Sequence, residues 1–200
     1  MKYTMSMGVV GKVLNGLVKK DIRDKQVRKE ILLEYRAVME RASDIGSSNR
    51  LLSSYLLAAY LIGMNRADGL TAEENIRILE GRMRKSKALK LFMGDAKNYF
   101  SEKSMASRRV WAKETQDPAH QKQYPNDWEV EVLEKGEDYQ FGFNYHQCGV
   151  CKLCRDEGCP ELAKYLCSLD YMLVEIMGLG LRRTKVLAEG ADFCDFRFLK

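Results

Sequence analysis

The chain reads as an α+β protein, a helical N-terminal half followed by a β-β-α-β-β antiparallel sheet unit. Three observations predict this. From about residue 9 to 105, apolar side chains recur at the three- and four-residue spacing of a buried helix face. From Trp128 the period falls to two, as in a half-buried strand. Only three prolines, and no Ser/Gly-rich tract, leave little room for a disordered linker. The 200 residues are therefore expected to form one α+β domain, with a helical half at 1–118 and a sheet half at 119–200.

Asp21 to Arg41 carries Ile22, Val27, Ile31, Leu32, Tyr35, Val38 and Met39 on one face, which predicts the first long helix. Gly46-Ser47-Ser48 breaks it, and Ser47 or Ser48 is suited to cap the next. That helix, Arg50 to Asn65, is apolar on most sides and fits either a central core position or a dimer face. Thr71-Ala72-Glu73-Glu74 has the form of a capping box and opens a helix through Lys85. Another is expected from Lys87 to about Lys103. In the second half, Trp128, Val130 and Val132 alternate with Glu129, Glu131 and Leu133. Glu134 to Asp138 supplies a hairpin turn before Phe141, Phe143 and Tyr145. Cys159-Pro160-Glu161 suits a helix start, because proline fits the first turn and glutamate its positive end. Gly178-Leu179-Gly180 ends that helix. Two strands, Leu181 to Leu187 and Phe193 to Phe198, complete the sheet, with Gly190 at a turn that requires positive φ.

Composition narrows the function. The net charge is +5, from 33 basic and 28 acidic residues mixed along the helices, which is not the concentrated stripe of a nucleic-acid surface. Arg82, Arg84, Lys85, Lys87 and Lys90 form the densest basic stretch, with no aromatic interleaved; a solvated helix face explains it. No apolar run approaches a membrane span, and no secretory leader is evident, so a cytoplasmic setting is expected. There the six cysteines stay reduced, which points away from disulfide staples and towards catalysis, metal binding or core filling.

The helix from Leu162 to Met177 carries the chemistry. At about 100° per residue, Leu162, Leu166, Leu169, Leu173 and Ile176 form one core stripe. Ala163, Cys167, Asp170 and Val174 form a second beside it. Cys167 and Asp170 are i, i+3 neighbours, so their side chains share one small site. A carboxylate on so apolar a helix is costly to bury unless something satisfies it. Two readings stay open: Asp170 bonds loop amides, or it holds a cationic, amidine-like group. Asn144, His146 and Cys148 fall on one face of the preceding strand by alternation, which makes His146 a candidate proton carrier. Cys194 shares a strand face with Phe196 and Phe198. Cys148, Cys151, Cys154 and Cys159 read C-x2-C-x2-C-x4-C, close to a ferredoxin run, and also suit zinc.

Phe143-Asn144-Tyr145-His146-Gln147-Cys148, Cys159-Pro160-Glu161-Leu162 and Cys167-Ser168-Leu169-Asp170 together resemble the C-terminal signature of the L-2-amino-thiazoline-4-carboxylic acid hydrolase family. Arg183-Thr184, Ala188-Glu189-Gly190 and Cys194-Asp195-Phe196-Arg197-Phe198 continue it, over about 55 residues. The layout is also similar to the small-ligand-binding domain of the vinyl-reductase type. The family resemblance implies hydrolytic opening of 2-amino-thiazoline-4-carboxylate to N-carbamoyl-cysteine, a small-molecule substrate, and roles for Cys148, Cys167, Asp170, Thr184, Gly190 and Cys194. The resemblance assigns no role to Cys151, Cys154 or Cys159. The expected division of labour gives Cys167, then Cys194, as nucleophile, Asp170 as cation holder and His146 as proton relay. Thr184 orients the site, and Arg182 or Arg183, with Asn144, binds substrate. No cofactor is required on this reading. The alternatives are a non-enzymatic ligand-binding or sensor module, and an iron–sulfur or zinc protein built on Cys148 to Cys159.

Overall fold

The computed structural model describes residues 1–46, 51–93 and 99–199. The proposed caps Ser47 and Ser48 lie outside them. Among the described residues seven helices come first: α1 (Met5–Val18), α2 (Lys25–Arg41), α3 (Leu52–Ala67), α4 (Ala72–Lys85), α5 (Lys87–Met93), α6 (Glu102–Thr115) and α7 (Pro118–Gln123). Then follow β1 (Glu129–Leu133), β2 (Phe141–Gln147), α8 (Gly149–Asp156), α9 (Leu162–Ile176), β3 (Gly180–Arg182), a 3-10 turn at Leu187–Glu189 and β4 (Cys194–Leu199). The fold is α+β, a helical N-terminal region and a four-stranded antiparallel sheet in the order β1-β2-β4-β3.

Local chemistry sets the boundaries. α2 starts at Lys25 rather than Asp21, because the Asp24 carboxylate accepts from the amides of Gln26 and Val27. Thr71 and Glu74 form the complete capping box of α4. Of the helix expected from Lys87 to Lys103, Lys87–Met93 forms α5, residues 94–98 lie outside the described residues, and α6 opens at Glu102 behind the Ser101 cap. α8 was not foreseen. The strand expected from Leu181 to Leu187 ends at Arg182. Residues 184 and 185 leave the ladder because their amides, with the Thr184 hydroxyl, donate to the Asp195 carboxylate.

α3 is the axis of the core. Tyr55, Leu56, Ala58 to Ile62 and Met64 are all buried, so its apolar faces are covered by this chain itself. It lies hard against α2 at Gly63, where a Cβ would stand 2.8 Å from the Ile31 carbonyl oxygen. On the inner sheet face, Tyr145 pairs with Cys194, Phe143 with Phe196 and Phe141 with Phe198. Antiparallel partners point the same way, so these rings and one thiol meet the helices together. Arg82 pairs with Asp21, and Arg84 with Glu80 and Glu175, so two members of the basic stretch are neutralised at the surface.

Candidate functional site

α9 packs its leucine stripe inward, and the second stripe turns Cys167 and Asp170 into a cavity of about 110 Å³. Leu51, Ser54 and Leu57 from the start of α3 form one wall. Tyr145, Cys194 and Phe196 from the inner sheet face form another, and Cys148 with Trp128 closes a third. Arg183 enters from the residue after β3. Its Nη1 donates to Asp170 Oδ2 at 2.7 Å, and its Nη2 donates to the Cys167 carbonyl at 2.9 Å. One guanidinium thus ties both residues of the α9 stripe.

Arg183 is held tightly. Its side chain is 3% exposed, and the guanidinium carbon lies 4.9 Å from the Phe196 ring centre and 5.2 Å from that of Tyr171. Its Nε has no partner among the described residues. Asp170 sits deep but keeps 33% of its side-chain surface open, and it forms part of the cavity wall. Burial pushes its carboxyl up to about 6, against the pull of Arg183. Burial, helped by the Asp170 charge, also pushes the Cys167 thiol well up. Cys194 rises to about 11 for the same first reason, although its sulfur accepts from the Leu187 amide at 3.2 Å. The site therefore holds neutral thiols beside one carboxylate–guanidinium pair.

Five of the residues singled out in the sequence meet here: Cys167, Asp170, Arg183, Cys194 and Cys148. Others do not. Asn144 and His146 lie on the opposite sheet face, where both reach Glu131, at 2.7 and 3.3 Å. Cys148 does not share that face, because β2 ends at Gln147 and Cys148 begins α8. Arg182 pairs at the surface with Asp138. Thr184 bonds Asp195 rather than entering the cavity; by fixing that turn it positions Arg183. Gly190 has φ of 90°, the left-handed value its turn needs. Among the described residues, no three His, Cys, Asp or Glu side chains converge as metal ligands; the cysteine run instead forms two contacting pairs, Cys148 with Cys151 and Cys154 with Cys159.

Several wall residues read from the sequence as strand or helix positions without being assigned to the site. Trp128 is placed by the buried Asp127, whose carboxylate accepts from the Trp128 amide and meets His120 Nε2 at 2.7 Å. The acidic residue directly before a tryptophan was the available clue. Asp195, next to Cys194 in the family-like string, was the clue to the Thr184 turn.

Residues 50–198 match the profile of the L-2-amino-thiazoline-4-carboxylic acid hydrolases. The chain belongs to that family. The matched span includes every cavity residue named above. ATC hydrolases, as the family is abbreviated, open the ring of 2-amino-thiazoline-4-carboxylate to N-carbamoyl-cysteine, and membership implies a hydrolase. Comparison with curated proteins and with solved structures gives no significant match. No helix among the described residues is long and apolar enough to cross a membrane.

Proposed function

We propose that this chain hydrolyses 2-amino-thiazoline-4-carboxylate, or a closely related cyclic isothiourea, in the cavity under α9. One observation carries the reading: Asp170 and Arg183, opposite charges joined at 2.7 Å, lie in the same cavity as the Cys167 thiol. The substrate is itself a zwitterion, with an amidinium at one end of the ring and a carboxylate at the other. Asp170 complements the amidinium and Arg183 the carboxylate, so the substrate exchanges one internal ion pair for two intermolecular ones.

In this scheme Asp170 stays ionised and holds the amidinium, while Cys167, its i, i+3 neighbour, gives its proton to the ring sulfur as it attacks. The Cys167 sulfur attacks the carbon between ring sulfur and nitrogen, which the held amidinium charge makes electrophilic. The carbon–sulfur bond of the ring breaks, and its sulfur leaves as a thiol that carries the proton from Cys167. Water then adds to the same carbon and expels Cys167 as a thiol, leaving the urea of N-carbamoyl-cysteine. The sum is one water consumed and one ring opened. Cys194, second in line as nucleophile, lies on the sheet wall of the same cavity. The scheme requires Cys167 to be reduced, which fits a cytoplasmic setting.

The apolar cavity wall, with Leu51, Leu57, Leu166, Leu169 and Leu173, favours one rival, a module that binds such a ligand without turning it over. Incubating reduced protein with racemic 2-amino-thiazoline-4-carboxylate, and following N-carbamoyl-cysteine by mass spectrometry, separates the two. The hydrolase reading expects product from the wild type and about a thousandfold less from Cys167→Ser, as for loss of a covalent nucleophile. Saturable binding with no product would establish the rival. Equal turnover in both proteins would remove Cys167 from its role.

A further inference from the structure

Two thiols outside this chemistry meet beside the cavity. Cys148 is the N-cap of α8, with extended backbone at φ −125° and ψ 117°, and Cys151 stands one turn on. Side chains three apart in a first helical turn are neighbours, which sets the Cys148 thiol beside that of Cys151, and the two interact. Both residues keep part of their surface exposed, and Cys148 lines the cavity. The second contacting pair differs in access, since Cys154 is 0% and Cys159 8% exposed. A small reagent entering the cavity therefore meets Cys148, while neither Cys154 nor Cys159 lies in its wall.

We propose that Cys148 and Cys151 form a reversible redox-modification site, closed to an intramolecular disulfide by exchange with a low-molecular-weight disulfide. The Cys148 sulfur attacks one sulfur of the reagent and releases the first thiol, which takes the Cys148 proton. Cys151 then attacks the Cys148 sulfur of the mixed disulfide and releases the second, which takes the Cys151 proton. The dithiol loses two electrons and two protons, and the reagent becomes two thiols. A C-x-x-C pair at a helix start is a spacing that a disulfide spans without unwinding the helix. Contact with Cys151 and burial hold the Cys148 thiol above its usual range, so exchange is slow near neutrality and accelerates as pH rises. Closure turns the Cys148 sulfur towards Cys151 and removes one thiol from the wall that faces Cys167. The site does not depend on Cys167 being a nucleophile.

The test uses the full chain incubated with glutathione disulfide, quenched with acid, alkylated with N-ethylmaleimide and digested with trypsin without reduction. Cleavage after Lys152 and Arg155 leaves Cys148 and Cys151 on one peptide, and puts Cys154 and Cys159 on two others. The expected result is a Cys148/Cys151 peptide lacking two hydrogens and both alkyl groups, reverting with dithiothreitol, while Cys154 and Cys159 are alkylated. Cys151→Ser and Cys151→Ala, checked for native circular dichroism, should instead retain glutathione on Cys148. Complete alkylation of Cys148 and Cys151, a link from Cys148 to Cys167 or Cys194, or prior oxidation of Cys154 and Cys159 would each overturn the proposal. So would stoichiometric zinc that shields these thiols.

Discussion

Asp170 feels two opposing forces, and their balance has a measurable consequence. Burial favours the neutral acid and Arg183 favours the carboxylate; burial prevails far enough to place the transition near 6. Only the ionised form holds a cationic amidine. On the proposed scheme, kcat/KM should fall about tenfold per pH unit below 6 and be flat just above it. A profile measured between pH 4.5 and 8 checks this, and a rate independent of pH through that range would exclude Asp170 as the cation holder. The Cys167/Asp170 stripe was legible in the sequence because helical spacing alone puts two side chains on one line. The separation of Asn144 and His146 from the cavity has an equally physical origin. Alternation along β2 places both on one face, as found, but which face meets the helices depends on the rings of Phe141, Phe143 and Tyr145 packing on the other side.

At the scale of elements, spacing explains both a success and a miss. The box at Thr71 and Glu74 announced α4, since its partners are three residues apart and need no tertiary context. α8 was obscured because its cysteines repeat every three residues. That interval suits a ligand run and a helix face alike, and an eight-residue helix gives too few turns to tell them apart. β3 fell short because the Asp195 carboxylate outcompetes the ladder for the amides of Thr184 and Lys185. The α2–α3 crossing supplies a prediction of its own. A methyl group at Gly63 would meet the Ile31 carbonyl oxygen at 2.8 Å and the Tyr35 amide nitrogen at 3.1 Å, both backbone atoms. Gly63→Ala should therefore cost about 1–3 kcal/mol, the usual price of overpacking, despite the better helix propensity of alanine. Urea unfolding measures it, and an unchanged midpoint would show that the helices separate freely.

Across the whole molecule, one nearly buried carboxylate ties two helices of the helical half to the site half. Glu157, just after α8, accepts from Arg41 at the end of α2 and from Arg66 near the end of α3. Its side chain is 6% exposed. Burial pushes its pKa up, but the two arginines outweigh that and hold it below the ordinary 4.5. A depressed carboxylate stabilises the folded state above its unfolded pKa, and the contribution disappears as pH falls through the folded value. Glu157→Gln should lower stability by about 1–2 kcal/mol at pH 7 and by little at pH 3. Thermal melts at both values test the sign; an equal loss at both would show that packing, not charge, is what the substitution removes.

The cavity wall reaches from Leu51 to Phe196, and this span bears on how the protein is made. During synthesis the leucines at the start of α3 emerge long before the strand that covers them. Until β4 leaves the ribosome, nothing pairs with the inner edge of β2, and the trough beneath α9 lacks its Cys194 and Phe196 side. The candidate site thus exists only once β4 has been made, and until then its apolar lining is what a chaperone would meet on the nascent protein.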